Sequence, residues 1–220
     1  MKAVRIWFKK IGTARYISHL DLSRCMSRAF HKAKIPLWYT QGFSPHAFLT
    51  FALPLALGIS SERESMDVKL NDDKILNEEL LDKLNDSLPP DLAVYQVTEP
   101  KMKPGQIAEA SYRMIFDTEG GDTQNIAAQM RALFQGTEVI VPKHTKNGMI
   151  DLDLKPYLDR TQVSAEHGDA VVVHTVLPAG STMNVNPMLL NDAVKKYLNM
   201  DLYVNIERIN LFDTNHKIFE

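Results

Sequence analysis

With 220 residues, 45% of them apolar, and a net charge near −2, the chain has the composition of an ordinary globular protein of one large or two small domains. No run of eighteen apolar residues is present to span a membrane, and Cys25 is the only cysteine, which excludes an internal disulfide and a cysteine-based metal knuckle. The opening MKAVRIWFKKIG lacks a signal-peptide core, so a cytoplasmic location is the default expectation.

In chain order, Ala3 to Phe8 alternates as a strand, with Val4, Ile6 and Phe8 on one face and Arg5 and Trp7 on the other. Ser18 followed by Asp21 has the sense of a capping box, and a helix is predicted from there to about Lys34, ahead of Pro36. At 100° per residue Leu22, Met26, Ala29 and Ala33 form its apolar stripe, opposite Arg24, Arg28 and His31. A loop with Gly42 and Pro45 leads to a strand over 47–53. Ser65 to Leu70 alternates as a third strand, Ile75 to Ser87 repeats helically up to Pro89-Pro90, and Leu92 to Val97 is a fourth strand.

That β-α-β-β-α-β order is the split βαβ, or ferredoxin-like, unit. The EPKMKPGQ stretch marks a boundary, and the second half reads similarly. Strands are predicted at 110–116, 138–141, 148–154, 170–177 and 202–211, with helices over 123–134 and from Asn186 or Pro187 to Leu198. The expected fold class is therefore α+β, two tandem ferredoxin-like units with antiparallel sheets, one over residues 1–100 and one over 108–220.

Charge is unevenly distributed. The first fifty residues hold nine Lys or Arg against Asp21 alone, and the remainder holds sixteen basic and twenty-six acidic side chains. A basic end of this kind either attracts a polyanion, with nucleic acid the usual candidate, or attracts the acidic remainder of the chain. Arg24, Arg28, Lys32 and Arg15 are the candidate phosphate contacts. Tyr39, Ser44 and His46, in the donor-rich loop around Gly42, are candidate recognition residues.

His19, in the helix's first turn, is read either as a neutral imidazole able to act as a general base, with His46 as the complementary acid, or as a packed histidine joining helix to sheet. Trp7 is a further candidate for stacking a base if it faces outward. No phosphate-loop, nucleophile-elbow or HExxH pattern is present, and His144, His167, His174 and His216 stand apart in the sequence. Neither a metal nor another cofactor is expected. Asp151, Asp153 and Asp159 read as an acidic surface, and Gly180-Ser181 as a capping turn or an anion-binding helix start.

The run K-x-G-x-x-R-Y-I-S-H-L-D-L from Lys10 to Leu22, the GFSPH of Gly42 to His46 and the SERESMDVKL of Ser61 to Leu70 resemble the radical-SAM-linked family of uncharacterised proteins. The likeness continues through KNGMIDLDLKPYL, AGSTMNVNP and Glu207-Arg208. It implies an accessory to a radical SAM enzyme in an RNA or translation setting. The chain has no CxxxCxxC for the cluster itself. A second resemblance is to CRISPR-repeat-processing endoribonucleases of the Cas6 kind, where a histidine at the first helix implies metal-independent RNA cleavage and His19 stands in a comparable place. Their glycine-rich loop near the C-terminus is missing here. Three readings follow: an RNA-binding accessory protein, a metal-independent ribonuclease using His19, and a protein-interaction scaffold.

Overall fold

The computed structural model describes residues 1–145, 148–166 and 169–220. Lys146 and Asn147, at the head of KNGMIDLDLKPYL, and His167 lie outside the described residues. The chain is mixed α+β with four α-helices among those residues. It divides into two compact units, Met1–Ile107 together with Ile218–Glu220, and Ala108–Lys217. No helix of the described residues is long and apolar enough to cross a membrane.

The first unit runs β1 (Lys2–Lys10), α1 (His19–Lys32), β2 (Leu49–Phe51), β3 (Ser60–Leu70), α2 (Asn77–Asn85) and β4 (Val94–Thr98). β1 lies between β4 and β3, antiparallel to both, with Ile6 opposite Val97 on one side and Met66 on the other. β2 pairs antiparallel with β3, Leu49 opposite Val68. Alternation places Val4, Ile6, Phe8, Met66, Val68 and Leu70 on the face that α1 and α2 cover with Leu22, Met26, Phe30, Leu80 and Leu84. The fourth member of α1's buried stripe is Phe30, and Ala33 is only partly buried.

The far face of β1 departs from the sequence expectation, because it is buried too. Trp7 is 5% exposed, donates its indole N–H to Thr98 Oγ1 at 2.9 Å, and packs near Phe219 with Arg63 over its ring. It therefore offers no free stacking face. Arg5 is fully buried and pairs through two nitrogens with Asp67, its cross-strand partner. Lys10 is also buried, with Nζ 3.2 Å from the Ile17 carbonyl. Two of the nine cations that made the amino-terminal end look basic are thus inside the protein.

α1 begins where its cap predicts. Ser18 Oγ accepts the Asp21 N–H at 3.1 Å and donates to the Asp21 carboxylate at 2.7 Å. It ends two residues early, before Pro36 can act. Lys34 adopts a left-handed conformation (φ 55°), its N–H reaching the His31 carbonyl and the Ile35 N–H the Phe30 carbonyl. This is a Schellman closure with lysine where glycine is usual. Lys34→Gly is expected to raise stability by about 0.5–1 kcal/mol, read from the denaturation midpoint; a loss would show that the lysine side chain supports the turn.

The turn before α1 has the opposite requirement. Gly12 sits at φ 52°, and an added Cβ would lie 2.6 Å from the Asp91 carboxylate. That carboxylate accepts the Thr13 N–H at 2.8 Å and the Thr13 hydroxyl at 2.7 Å, bonds that hold Asp91 below the ordinary aspartate pKa. Gly12→Ala is expected to cost about 1–3 kcal/mol through strain and loss of this clamp. An unchanged melting curve would refute it.

The second unit contains β5 (Ile107–Asp117), α3 (Thr123–Gln135), β6 (Ile140–Thr145), β7 (Gly148–Asp153), β8 (Gln162–Glu166), β9 (Ala170–Pro178), α4 (Met188–Leu198) and β10 (Val204–Asp213). Its main sheet has the order β10-β5-β9-β8, with β5–β9 and β8–β9 antiparallel. β6 and β7 pair antiparallel as a separate two-stranded sheet. β8 is not foreseen from the sequence: QVSAE has only Val163 firmly apolar, and the strand is held by its ladder to β9. Gly180 does not open a helix. Its N–H is taken by the Met183 carbonyl, and α4 starts after Pro187 with Asn186 Oδ1 accepting the Met188 N–H. Asp153 accepts the Val139 and Lys155 N–H groups, which lower its pKa, so it is a backbone clamp.

Candidate nucleic-acid interface

α1's outward surface meets the turn between α2 and β4 in a groove of about 400 Å³, lined by Asp21, Arg24, Cys25, Arg28, Lys32 and Ser87, with Ala29 at its base. The cations recur at i, i+4 and i+8, so they stack along one side of the helix about 6 Å apart per step. Lys32, not His31, continues the row; His31 is exposed and is not part of the lining.

Among the described residues the groove has one carboxylate, Asp21. The Ser18 hydroxyl first, then the Arg24 and Arg28 guanidinium groups, hold it below the ordinary aspartate pKa, so it is ionised at neutral pH. It reaches Arg24 at 3.3 Å, with both side chains more than half exposed. Such a pair is weak and solvent-screened. Lys32 Nζ lies 3.4 Å from the Asp86 carbonyl at the end of α2. The row keeps more positive than negative charge and keeps it in water. Cys25 is half-buried; burial pushes its thiol pKa up, with Arg28 opposing, so it is a protonated thiol at neutral pH and not an activated nucleophile.

Arg15 lies elsewhere. It stands in the 3₁₀ turn Gly12–Tyr16, with its guanidinium over the Tyr16 ring and bonded to the Tyr16 hydroxyl, and it does not line the groove. Tyr39, Ser44 and His46 belong to a small antiparallel turn in which Tyr39 bridges Ala47 and the Thr40 N–H donates to the His46 carbonyl. His46 Nδ1 sits 3.0 Å from Thr40 Oγ1 and 3.3 Å from the Ser44 carbonyl. Tyr39 is about half exposed, and Phe43 at the tip is fully exposed, an aromatic the sequence reading passed over.

His19 is exposed and presents an edge-on contact to Phe51, ring centres 5.0 Å apart. The two histidines thus have different neighbours. His216, isolated in the sequence, stacks on Phe212 and shares the Glu109 carboxylate with Arg160; the Arg160 bond above all lowers the Glu109 pKa. Among the described residues no group of three or more His, Cys, Asp or Glu side chains is placed to hold a metal.

Comparison with curated proteins yields no match. Among solved structures, a chain of a Cbf5-Nop10-Gar1 complex is similar at 10% identity and a TM-score of 0.48, covering 94% of this chain. The match takes in 48% of that chain, so this protein spans about half its length. A family model described as an uncharacterized protein conserved in bacteria (DUF2344) matches residues 3–187, and the chain belongs to that family.

Proposed function

We propose that this chain is an RNA-binding accessory protein that works beside a radical SAM enzyme, with α1 supplying its phosphate contacts. The observation that carries the reading is the exposed row of Arg24, Arg28 and Lys32 in one groove, opposed only by the Asp21 carboxylate among the described residues. Fixed cations at a regular helical spacing suit successive phosphates of a strand and release counterions on binding. Tyr39, Ser44 and His46 add hydrogen-bonding groups and an aromatic face at an exposed turn. The radical SAM partner rests on the resemblance of Lys10–Leu22, GFSPH and SERESMDVKL. The tandem ferredoxin-like reading belongs to the same proposal. The first unit supports it with its β-α-β-β-α-β order and β4, β1, β3 and β2 lying side by side.

The test is a fluorescence titration of structured RNA over a salt series. Affinity is expected to fall linearly with salt on logarithmic axes, and the RNA is expected to be recovered intact in EDTA. No binding at low salt would remove the proposal. Cleavage abolished by His19→Ala would favour the metal-independent ribonuclease in its place.

A further inference from the structure

The cationic groove continues into a second, differently lined hollow. Asp21 and Cys25 border both. Beyond them lies a space of about 480 Å³ walled by Ala14, Ile17, Pro89, Pro90 and Leu92, with the Asp91 carboxylate at its margin. A phosphate backbone has no use for an apolar hollow. Asp21 and Asp91 would also repel phosphate from it, confining the anionic part of a ligand to the side of Arg24, Arg28 and Lys32.

The ligand that matches both halves is flat and weakly polar at one end and anionic at the other. Each half falls within the roughly 300–1,000 Å³ of ordinary ligand pockets. In a duplex the flat faces of the bases are stacked away, and only an unpaired nucleotide can present one to a protein surface. Resting on the RNA-binding reading above, we propose that the groove seats one unpaired nucleotide of an RNA strand. Its base enters the apolar half against Pro89 and Pro90, and the flanking phosphates lie along Arg24, Arg28 and Lys32. The unbranched spacing of those cations runs the backbone parallel to α1. The carboxylates at the margin can accept from a base's exocyclic amino group.

Cys25 offers a direct readout, since it is the only thiol in the chain and lines both halves. The full-length protein would be alkylated with a maleimide at mildly alkaline pH, with binding followed in parallel by fluorescence anisotropy. Three probes of equal length are compared: a mixed-sequence single-stranded RNA, the duplex of that strand, and the same backbone carrying abasic sites. The single strand is expected to slow Cys25 alkylation several-fold and to bind several-fold more tightly than the abasic strand, with the duplex protecting least. If RNA binds but all three probes protect equally, or none does, the nucleotide seat is wrong while RNA binding stands. If no probe binds at low salt, the RNA-binding reading itself falls and takes this inference with it.

Discussion

Asp67→Ala is expected to lower the unfolding free energy by about 3–5 kcal/mol, because it leaves a guanidinium stranded inside the first unit. Arg5 is fully buried, while Asp67 keeps some contact with water. The pair is bidentate, at 2.6 and 2.8 Å, and a third bond from Nη2 reaches the Met102 carbonyl at 2.6 Å. Nη1 has no hydrogen-bond partner among the described residues, and the guanidinium carbon lies 4.2 Å from the centre of the Phe219 ring. Losing the carboxylate removes the compensation for a desolvated charge; it does not merely delete a contact. The double replacement Arg5→Met/Asp67→Leu should recover most of the loss, since an apolar pair of similar volume needs no compensation. Denaturant unfolding of the two variants checks both statements. A loss below about 1 kcal/mol in Asp67→Ala would mean that the guanidinium finds water.

Arg24→Ala/Arg28→Ala is expected to weaken RNA binding at low salt by about tenfold or more and to flatten the salt dependence by about two units of slope, one per lost phosphate contact. Fold stability should scarcely change. Both side chains are on α1's solvent side, and the one ion pair lost, Arg24 with Asp21, is exposed at 3.3 Å. Alanine also favours the helix. Arg15→Ala gives a contrast: it lies outside the groove lining, so its effect on the salt slope should be smaller. Affinity measured at several salt concentrations, with circular dichroism to confirm folding, separates these outcomes. An unchanged slope in the double variant would take the phosphate contacts away from α1.

Most of the row on α1 was legible because helical spacing is local: once Ser18 caps the helix, Arg24 and Arg28 must share a side, but the spacing put His31 third in the stripe where the groove has Lys32. The apolar neighbour of that row was not legible. Its walls come from the turn before α1 and from Pro89 to Leu92, brought together by the Asp91 clamp on Thr13. His19 shows the same limit. Sequence could place it in the first turn but could not choose between proton transfer and packing, and the structure gives it an edge contact to Phe51, which stands thirty-two residues later.

By itself the sequence determined what repeats over a few residues: the alternation of β1 and β3, the Ser18 cap, the apolar face of α1, and the mixed α+β order of the first hundred residues. Tertiary structure alone decided which charges count. Arg5 and Trp7 alternate as an outward face would, yet Thr98, Met102 and Phe219 arrive from far along the chain to cover and bond them. The weakly patterned β8 becomes a strand only because β9 supplies its ladder. The physical reason is one of range. Periodicity reports how a segment faces its own neighbours, whereas desolvation and charge pairing depend on groups that only the folded chain brings within a few ångströms.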